Sequence, residues 1–314
     1  MIAPDRLLGL AVVAALVAAG CGSDEASSDV DLSGMSLTVG SKNFTEQFVL
    51  SEILIQAMIA RGAEVTDATD TGTTKETRQA LVDGDIDAYF EYNSTGWVDI
   101  LEESERPDED GEDLTEAVRE LDAANGIEWV GRSTFNDTYG FAMGPDLAAD
   151  TQTTRYSVEA FDLEAMADYV DDNDDAIVCV EPEFAERADG LALFEEEVEF
   201  TIPESQLLVI ENEADIYEMT ADGDCDFGEV FTTDGRLETF DLELVVDGGV
   251  FYVYNVSLNI RDDAAGDQSD AIESIVDAIL RPMSQTRITD LNRRVSDGEP
   301  VADVAESFLD QFDI

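Results

Sequence analysis

The stretch "EVTDATDTGTTKETRQALVDGDIDAYFEY", Glu64 to Tyr92, decides the fold. It opens on an extended run that breaks at Gly72. Thr73 and Glu76 then stand at the spacing of a helix N-cap and its reciprocal glutamate, and a second extended run, "AYFEY", closes the unit. On its N-terminal side, "MSLTVGSKNFTEQFVLSEILIQAMIARG" supplies a short apolar strand at "LTVG". A helix starts just after Lys42, with Asn43 as N-cap and Glu46 as partner, and stops at Gly62. The β-loop-α-β-α-β order predicts a parallel sheet that carries ligand groups at the carboxyl ends of its strands. On its C-terminal side "AYFEY" runs into "NSTGW". Alternation puts Phe90 and Tyr92 on one face and Tyr89 on the other, so Tyr89 and Phe90 read as core and Trp97 as helix packing beyond the loop.

The rest of the chain repeats the theme. "TYGFAMG", "AIVCVEPEF" and "CDFGEVFTTDG" read as strands, with helical stretches near Ala160 to Val170 and Asp215 to Ala221. "LELVVDGGVFYVYNVSLNI" is extended, and helical patterns follow at Ser269 to Ile279, Ser284 to Arg294 and Val301 to Phe312. No repeat of 20 to 50 residues is visible. The coarse picture is two α/β lobes with a cleft between them.

With 314 residues, 44% of them hydrophobic, the chain has enough apolar material for two packed cores. Its charge is unusual: 74 Asp and Glu against 16 Lys and Arg, a formal net charge of -58. The acidic residues are spread through every segment, so they describe a whole surface and not a tail. Such a surface repels itself at low ionic strength, whereas at 1 M salt the screening length falls to about 3 Å; the composition points to a salt-adapted protein, with an acidic protein that binds basic partners as the alternative. No basic face exists to neutralise phosphates, which removes nucleic acid as a partner. Lys42 and Lys75 are the only lysines, and histidine is absent, which excludes His-based triads, general bases and metal ligands.

The N-terminus is an address. "LLGLAVVAALVAAG", Leu7 to Gly20, is apolar but shorter than the roughly 20 residues of a spanning helix, and small residues precede Cys21. "VAAGC" resembles a lipobox with Cys21 as the lipidated residue; a plain cleaved signal and an uncleaved anchor are the alternatives. "GSDEASSDVDLSG", Gly22 to Gly34, has the composition of a flexible tether. The remaining cysteines, Cys179 and Cys225, are either one disulfide or two separate buried thiols.

In order and spacing, "VGSKNFTEQ", "DGDIDAYFEYNSTG", "FNDTYGFAM", "EPEFAERADGL" and "TTDGR" resemble the glycine betaine, carnitine, choline and proline betaine binding proteins of ABC importers, from about Leu37 to the C-terminus. The resemblance implies a two-lobed periplasmic-binding-protein fold of type II. Each α/β lobe is then a mostly parallel sheet flanked by helices, with the ligand in the interlobe cleft. The expected division is a signal peptide with lipobox at 1–21, a tether at 22–34, the first part of lobe 1 at 35–136, lobe 2 at 137–242, and a return to lobe 1 with C-terminal helices at 243–314. The implied partners are a small quaternary ammonium solute, an ABC permease and, through the lipid, the outer face of the cytoplasmic membrane. No cofactor is implied.

Carried over residue by residue, the resemblance assigns cage rings to Tyr92, Tyr139, Phe231 and Tyr254, with Tyr252 the other candidate for the last. Phe231 stands where the family commonly has tyrosine, and Tyr252 and Val253 replace two prolines. Thr95 is the implied hydrogen-bonding hydroxyl. Lys42, at a strand end before a helix N-terminus, is a candidate contact for an anionic ligand group. Arg187 is expected to fix the ligand carboxylate or latch the second lobe; pairing with Glu183 or Glu186 is its structural alternative. Physically, a trimethylammonium group donates no N–H, so ring faces offer it both shape and charge, at roughly 0.5 to 2 kcal/mol each.

Two rival functions remain. An enzyme would need a nucleophile motif or a metal cluster, and no G-x-S-x-G or Cys/His cluster is present. A same-fold binding protein for an amino acid would need a carboxylate converging on its ammonium group, and one for an anion several cationic or N–H donors.

Overall fold

A computed structural model describes residues 30–103, 111–150 and 161–314. Cys21 and the signal segment lie outside the described residues. Among the described residues there are ten strands: β1 Ser36–Lys42, β2 Glu64–Gly72, β3 Ala88–Tyr92, β4 Ile127–Val130, β5 Tyr139–Met143, β6 Val178–Val180, β7 Leu207–Val209, β8 Phe227–Phe231, β9 Glu243–Leu244 and β10 Val256–Arg261. They form two five-stranded sheets, ordered β2-β1-β3-β10-β4 and β7-β6-β8-β5-β9. In the first, β10 is antiparallel to both neighbours, so β1, β2, β3 and β4 share one direction. In the second, β5 is the odd strand in the same way. Each sheet is thus mostly parallel, and its reversed strand is the one that has just crossed from the other lobe.

Two neighbouring segments make the crossings. The Ser133 N–H donates to Val256 O, Asp137 N–H to Tyr254 O and Thr138 Oγ1 to Tyr252 O, so residues 133–138 and 252–256 run side by side. Asn136 and Asn255 hold them from the side: Tyr254 N–H donates to Asn136 Oδ1 at 2.7 Å and Asn255 Nδ2 to Phe135 O at 2.6 Å.

The helix Thr45–Ala60 is apolar on nearly every face because it is covered on nearly every face. The first sheet lies on one side, and helices Ser269–Leu280, Gln285–Ser296 and Val301–Phe312 on the other. Its cap differs from expectation. The N-cap is Phe44 and no side chain caps it, because Glu46 turns inward to buried partners instead of back to Asn43. Gly62 ends the helix at φ +92°, a backbone state that favours glycine. The second helix, Thr74–Asp83, carries the full capping box of Thr73 and Glu76.

β3 alternates as read: Phe90 and Tyr92 face the main core, while Tyr89 packs with Trp129, Leu81 and Ile86, with Trp97 at the edge of that cluster. Three readings change. "AIVCVEPEF" stops being a strand at Val180, because Pro182 opens a helical turn, Pro182–Glu186. Helix Leu163–Asp172 starts later than Ala160 and is capped by Asp162. Leu32, inside the span read as tether, is fully buried, and its N–H donates to Arg61 O. Cys179 on β6 and Cys225 just before β8 are a buried disulfide.

Candidate functional site

The carboxyl ends of β1, β6 and β8 open on one cavity of about 270 Å3 between the lobes. The turn after β1 contributes Lys42, Asn43 and Phe44; the start of the second helix gives Thr73 and Thr74; Glu181 to Glu183 follow β6; Glu211 to Glu213 come from the loop and helix after β7. Tyr139 and Phe231 complete the lining. Their position follows from sheet register: β5 and β8 pair Tyr139 directly opposite Phe231, and the ring centroids are 5.6 Å apart. Tyr217 Oη, accepting the Phe231 N–H at 2.9 Å, anchors that strand end. Phe44 reaches across from the first lobe to stack on Phe231 at 5.3 Å.

Of the residues singled out in the sequence, Lys42, Tyr139 and Phe231 therefore line the cavity. The other four stand in a layer behind it. Tyr92 is buried, donates its hydroxyl to Glu46 at 2.8 Å, and stacks on Phe44 at 6.3 Å. Tyr254 packs edge-on against Tyr139 at 5.3 Å and donates to Asp189 at 2.8 Å. Arg187 is held by both oxygens of Asp189, at 2.8 and 2.6 Å, and reaches Thr95 Oγ1 across the lobes at 3.4 Å. Its acidic partner is therefore Asp189, not Glu183 or Glu186. Lys42 Nζ lies 2.7 Å from Glu91 Oε1 and 4.6 Å above the centre of the Tyr92 ring. Tyr252 is half-buried and outside the lining.

Beneath the rings the lobes meet at a hydroxyl. Thr233 Oγ1 is 2.6 Å from Glu46 Oε2 and 2.5 Å from Asp137 Oδ1. A hydroxyl has one proton to give, so two charged carboxylates cannot both be served at these distances. Glu46 also accepts from Tyr92 and, at 3.0 Å, from Asn292, which makes it the anion. Asp137 is then the acid, its O–H donating to Thr233. Burial, followed by the charge of Glu46, pushes the Asp137 carboxyl well above its ordinary range.

The cavity wall is acidic. Burial raises Glu181 to about 7, although its carboxylate accepts from the N–H groups of Glu183 and Phe184 at 2.8 and 2.6 Å. Burial likewise raises Glu213 to about 7 against the opposing pull of its ion pair with Arg236. Glu183 spans the cleft, accepting from the N–H and the hydroxyl of Thr74 at 2.8 Å each. Phe44, Glu46, Asp137, Glu183 and Thr233 were not singled out as site residues. The aromatic of "SKNF" was the available signal for Phe44; nothing local marked the others.

The family described as the substrate-binding domain of the ABC-type glycine betaine transport system matches residues 35–311. A glycine-betaine-binding protein of Pseudomonas aeruginosa is 27% identical over 276 residues, which cover 87% of each chain. An ergothioneine transport permease/ergothioneine binding protein, EgtU, of Helicobacter pylori is 27% identical over 262 residues, 82% of this chain and 44% of that one. A crystal structure of a glycine betaine/carnitine/choline ABC transporter superposes with a TM-score of 0.68 at 19% identity, covering 88% of this chain and 98% of that chain. The two mixed sheets with flanking helices have the type II periplasmic-binding-protein architecture seen in such structures. These relatives are transport proteins, not enzymes. With a family match that runs from before the first strand into the last helix, this chain belongs to the substrate-binding domains of ABC-type glycine betaine transport systems.

Proposed function

We propose that the chain captures a small quaternary ammonium solute, such as glycine betaine, proline betaine, choline or carnitine, and delivers it to the permease of an ABC importer. The observation that carries this reading is the ring set Phe44, Tyr139 and Phe231 on one cavity, backed by Tyr92 and Tyr254. Three ring faces at roughly 0.5 to 2 kcal/mol each supply several kcal/mol, a substantial part of the about -8 kcal/mol of micromolar binding. Contacts of this range survive molar salt, where long-range attraction by the surface does not. Substrate-binding proteins of ABC importers work outside the cytoplasm, and among the described residues no helix is long and apolar enough to cross a membrane. Anchoring is assigned to lipidated Cys21, ahead of the described residues; intact mass of the membrane-extracted protein tests it, and an unmodified Cys21 within a longer N-terminus refutes it.

The solute reading is tested by calorimetry in molar potassium chloride with those four solutes, ergothioneine and glycine. Saturable heat with N-methylated solutes, none with glycine, and no turnover is the expected result. Flat traces for every methylated solute beside saturable glycine binding would replace the cage with an amino-acid site.

A further inference from the structure

A sheet ends in two edge strands, whose outward N–H and C=O groups pair with another chain unless something blocks them. Among the described residues, three of the four edges are blocked. β2 bears the exposed carboxylates Glu64, Asp67 and Asp70. Arg119 lies on β4, its Nε donating to Trp129 O at 2.8 Å. Just past β9, the Val246 N–H donates to Phe161 O at 2.9 Å and Val246 O accepts from Leu163 N–H at 3.3 Å, so residues 161–163 cover that side.

β7 is the exception. Gln206 O accepts from Val178 N–H at 2.7 Å, Ile210 N–H donates to Val180 O at 2.9 Å, and Leu208 stands opposite Cys179. The even positions thus face β6, and by alternation the N–H and C=O groups of Leu207 and Val209 face away from the sheet. Among the described residues nothing pairs with them. Leu208 and Val209 point to opposite faces yet are 41% and 45% exposed, so neither face of this edge is covered. The run Leu207 to Ile210 holds no charge and no proline that would blunt it.

The surroundings decide what fits. Exposed Glu204 and Glu211 flank the run, and no Lys or Arg occurs from Ala188 to Gly235. A second copy would set these carboxylates against their own kind, and a strand of three residues offers far less than the ~800 Å2 per partner of a stable interface between folded proteins. We propose that β7 is a docking edge, where a partner protein adds an extended segment, β-branched at its centre and flanked by Lys or Arg, as a further strand of the second sheet. Main-chain bonds to Leu207 and Val209 hold the segment, Leu208 and Val209 cover its apolar side chains, and Glu204 and Glu211 take its cations. Because Glu211 also lines the cavity, one end of the docked segment lies beside the cleft.

The test is amide hydrogen exchange, read by NMR on the full chain in molar potassium chloride. The probe is a synthetic peptide of alternating valine and threonine with a Lys-Arg pair at each end. Leu207 and Val209 should exchange fast in the chain alone and slow several-fold with saturating peptide, while Leu208, whose N–H already faces β6, changes little. The same peptide with glutamates at its ends should bind several-fold more weakly. Val209→Pro removes an outward N–H that the sheet does not use, and Val209→Lys keeps the backbone but opposes the peptide's cations. Both should weaken the peptide several-fold and leave the melting temperature nearly unchanged. Slow exchange at Leu207 and Val209 without peptide overturns the inference, because the chain itself then covers the edge. Slowing that follows protein concentration assigns the edge to a second copy instead. No protection by the basic peptide, or equal binding by both peptides or by parent and both variants, also overturns it.

Discussion

Asp137→Asn tests the proton count at Thr233. In the parent, the folded chain keeps a proton on Asp137 that the unfolded chain releases near pH 4. The folded state therefore binds more protons than the unfolded one, and stability falls as pH rises from the unfolded pKa towards the raised folded value. Each retained proton contributes a slope of about 1.4 kcal/mol per pH unit. Glu46, Glu181, Glu213 and Glu229 are raised as well, chiefly by burial that the substitution leaves in place, and of these Glu46 and Glu229 also interact with Asp137. The asparagine keeps a donor aimed at Thr233 Oγ1 and has no proton to lose, so the variant should gain on the parent by about 1.4 kcal/mol per pH unit while Asp137 holds its proton. Urea unfolding at pH 5, 6 and 7 in constant molar salt, followed by Trp97 and Trp129 fluorescence, measures the difference. Parallel dependences would show that Asp137 is ionised and that the shared hydroxyl has been misread.

Phe231→Tyr should bind solute nearly as well as the parent, whereas Phe231→Leu should lose roughly 1 to 2 kcal/mol of affinity with the ring face; a fall in melting temperature with no loss of affinity would move Phe231 from site to core. A side chain on Gly235 would meet the backbone of Arg293, with Cβ 2.2 Å from its Cα. Gly235→Ala should therefore destabilise by about 1 to 3 kcal/mol on the scale of overpacked contacts, and an unchanged melting temperature would refute that approach. With a formal charge of -58, the fold should loosen when salt is withdrawn and recover when it is restored; an unfolding midpoint that is constant from low to molar salt rejects this.

Much of this arrangement is legible locally. The Thr73 and Glu76 cap, the alternation of Tyr89 against Phe90 and Tyr92, and the three C-terminal helices all depend on near neighbours, and local pattern carries them. Asn43 misleads for the same reason: a cap signal is weak beside the buried hydrogen bonds that draw Glu46 inward. The site was legible in its rings but not in its charges. Lys42, Tyr139 and Phe231 sit on the cavity, yet the carboxylates that engage Lys42, Arg187 and Thr74 are three among 74, and only folding distinguishes Glu91, Asp189 and Glu183 from the rest. The pairings of Lys42 with Glu91 and of Thr74 with Glu183 join residues far apart in the chain and leave no local trace, and the near pair of Arg187 and Asp189 is one local choice among several acidic neighbours.

The reversed strands bear on how the molecule is made. β4 has one neighbour in its sheet, β10, and β10 belongs to the last part of the chain. A polypeptide emerging N-terminus first therefore completes the second sheet while the first still has a gap between β3 and β4, each exposing an unpaired edge open to other chains. Closing that gap is a late, long-range event of the kind that makes folding slow and leaves intermediates prone to association. The first lobe is not a contiguous unit that can be finished alone, and a chain truncated before Val256 would keep the gap permanently. The dispersed acidic residues then have a second role, because unfinished chains of like charge repel one another before the last strand arrives.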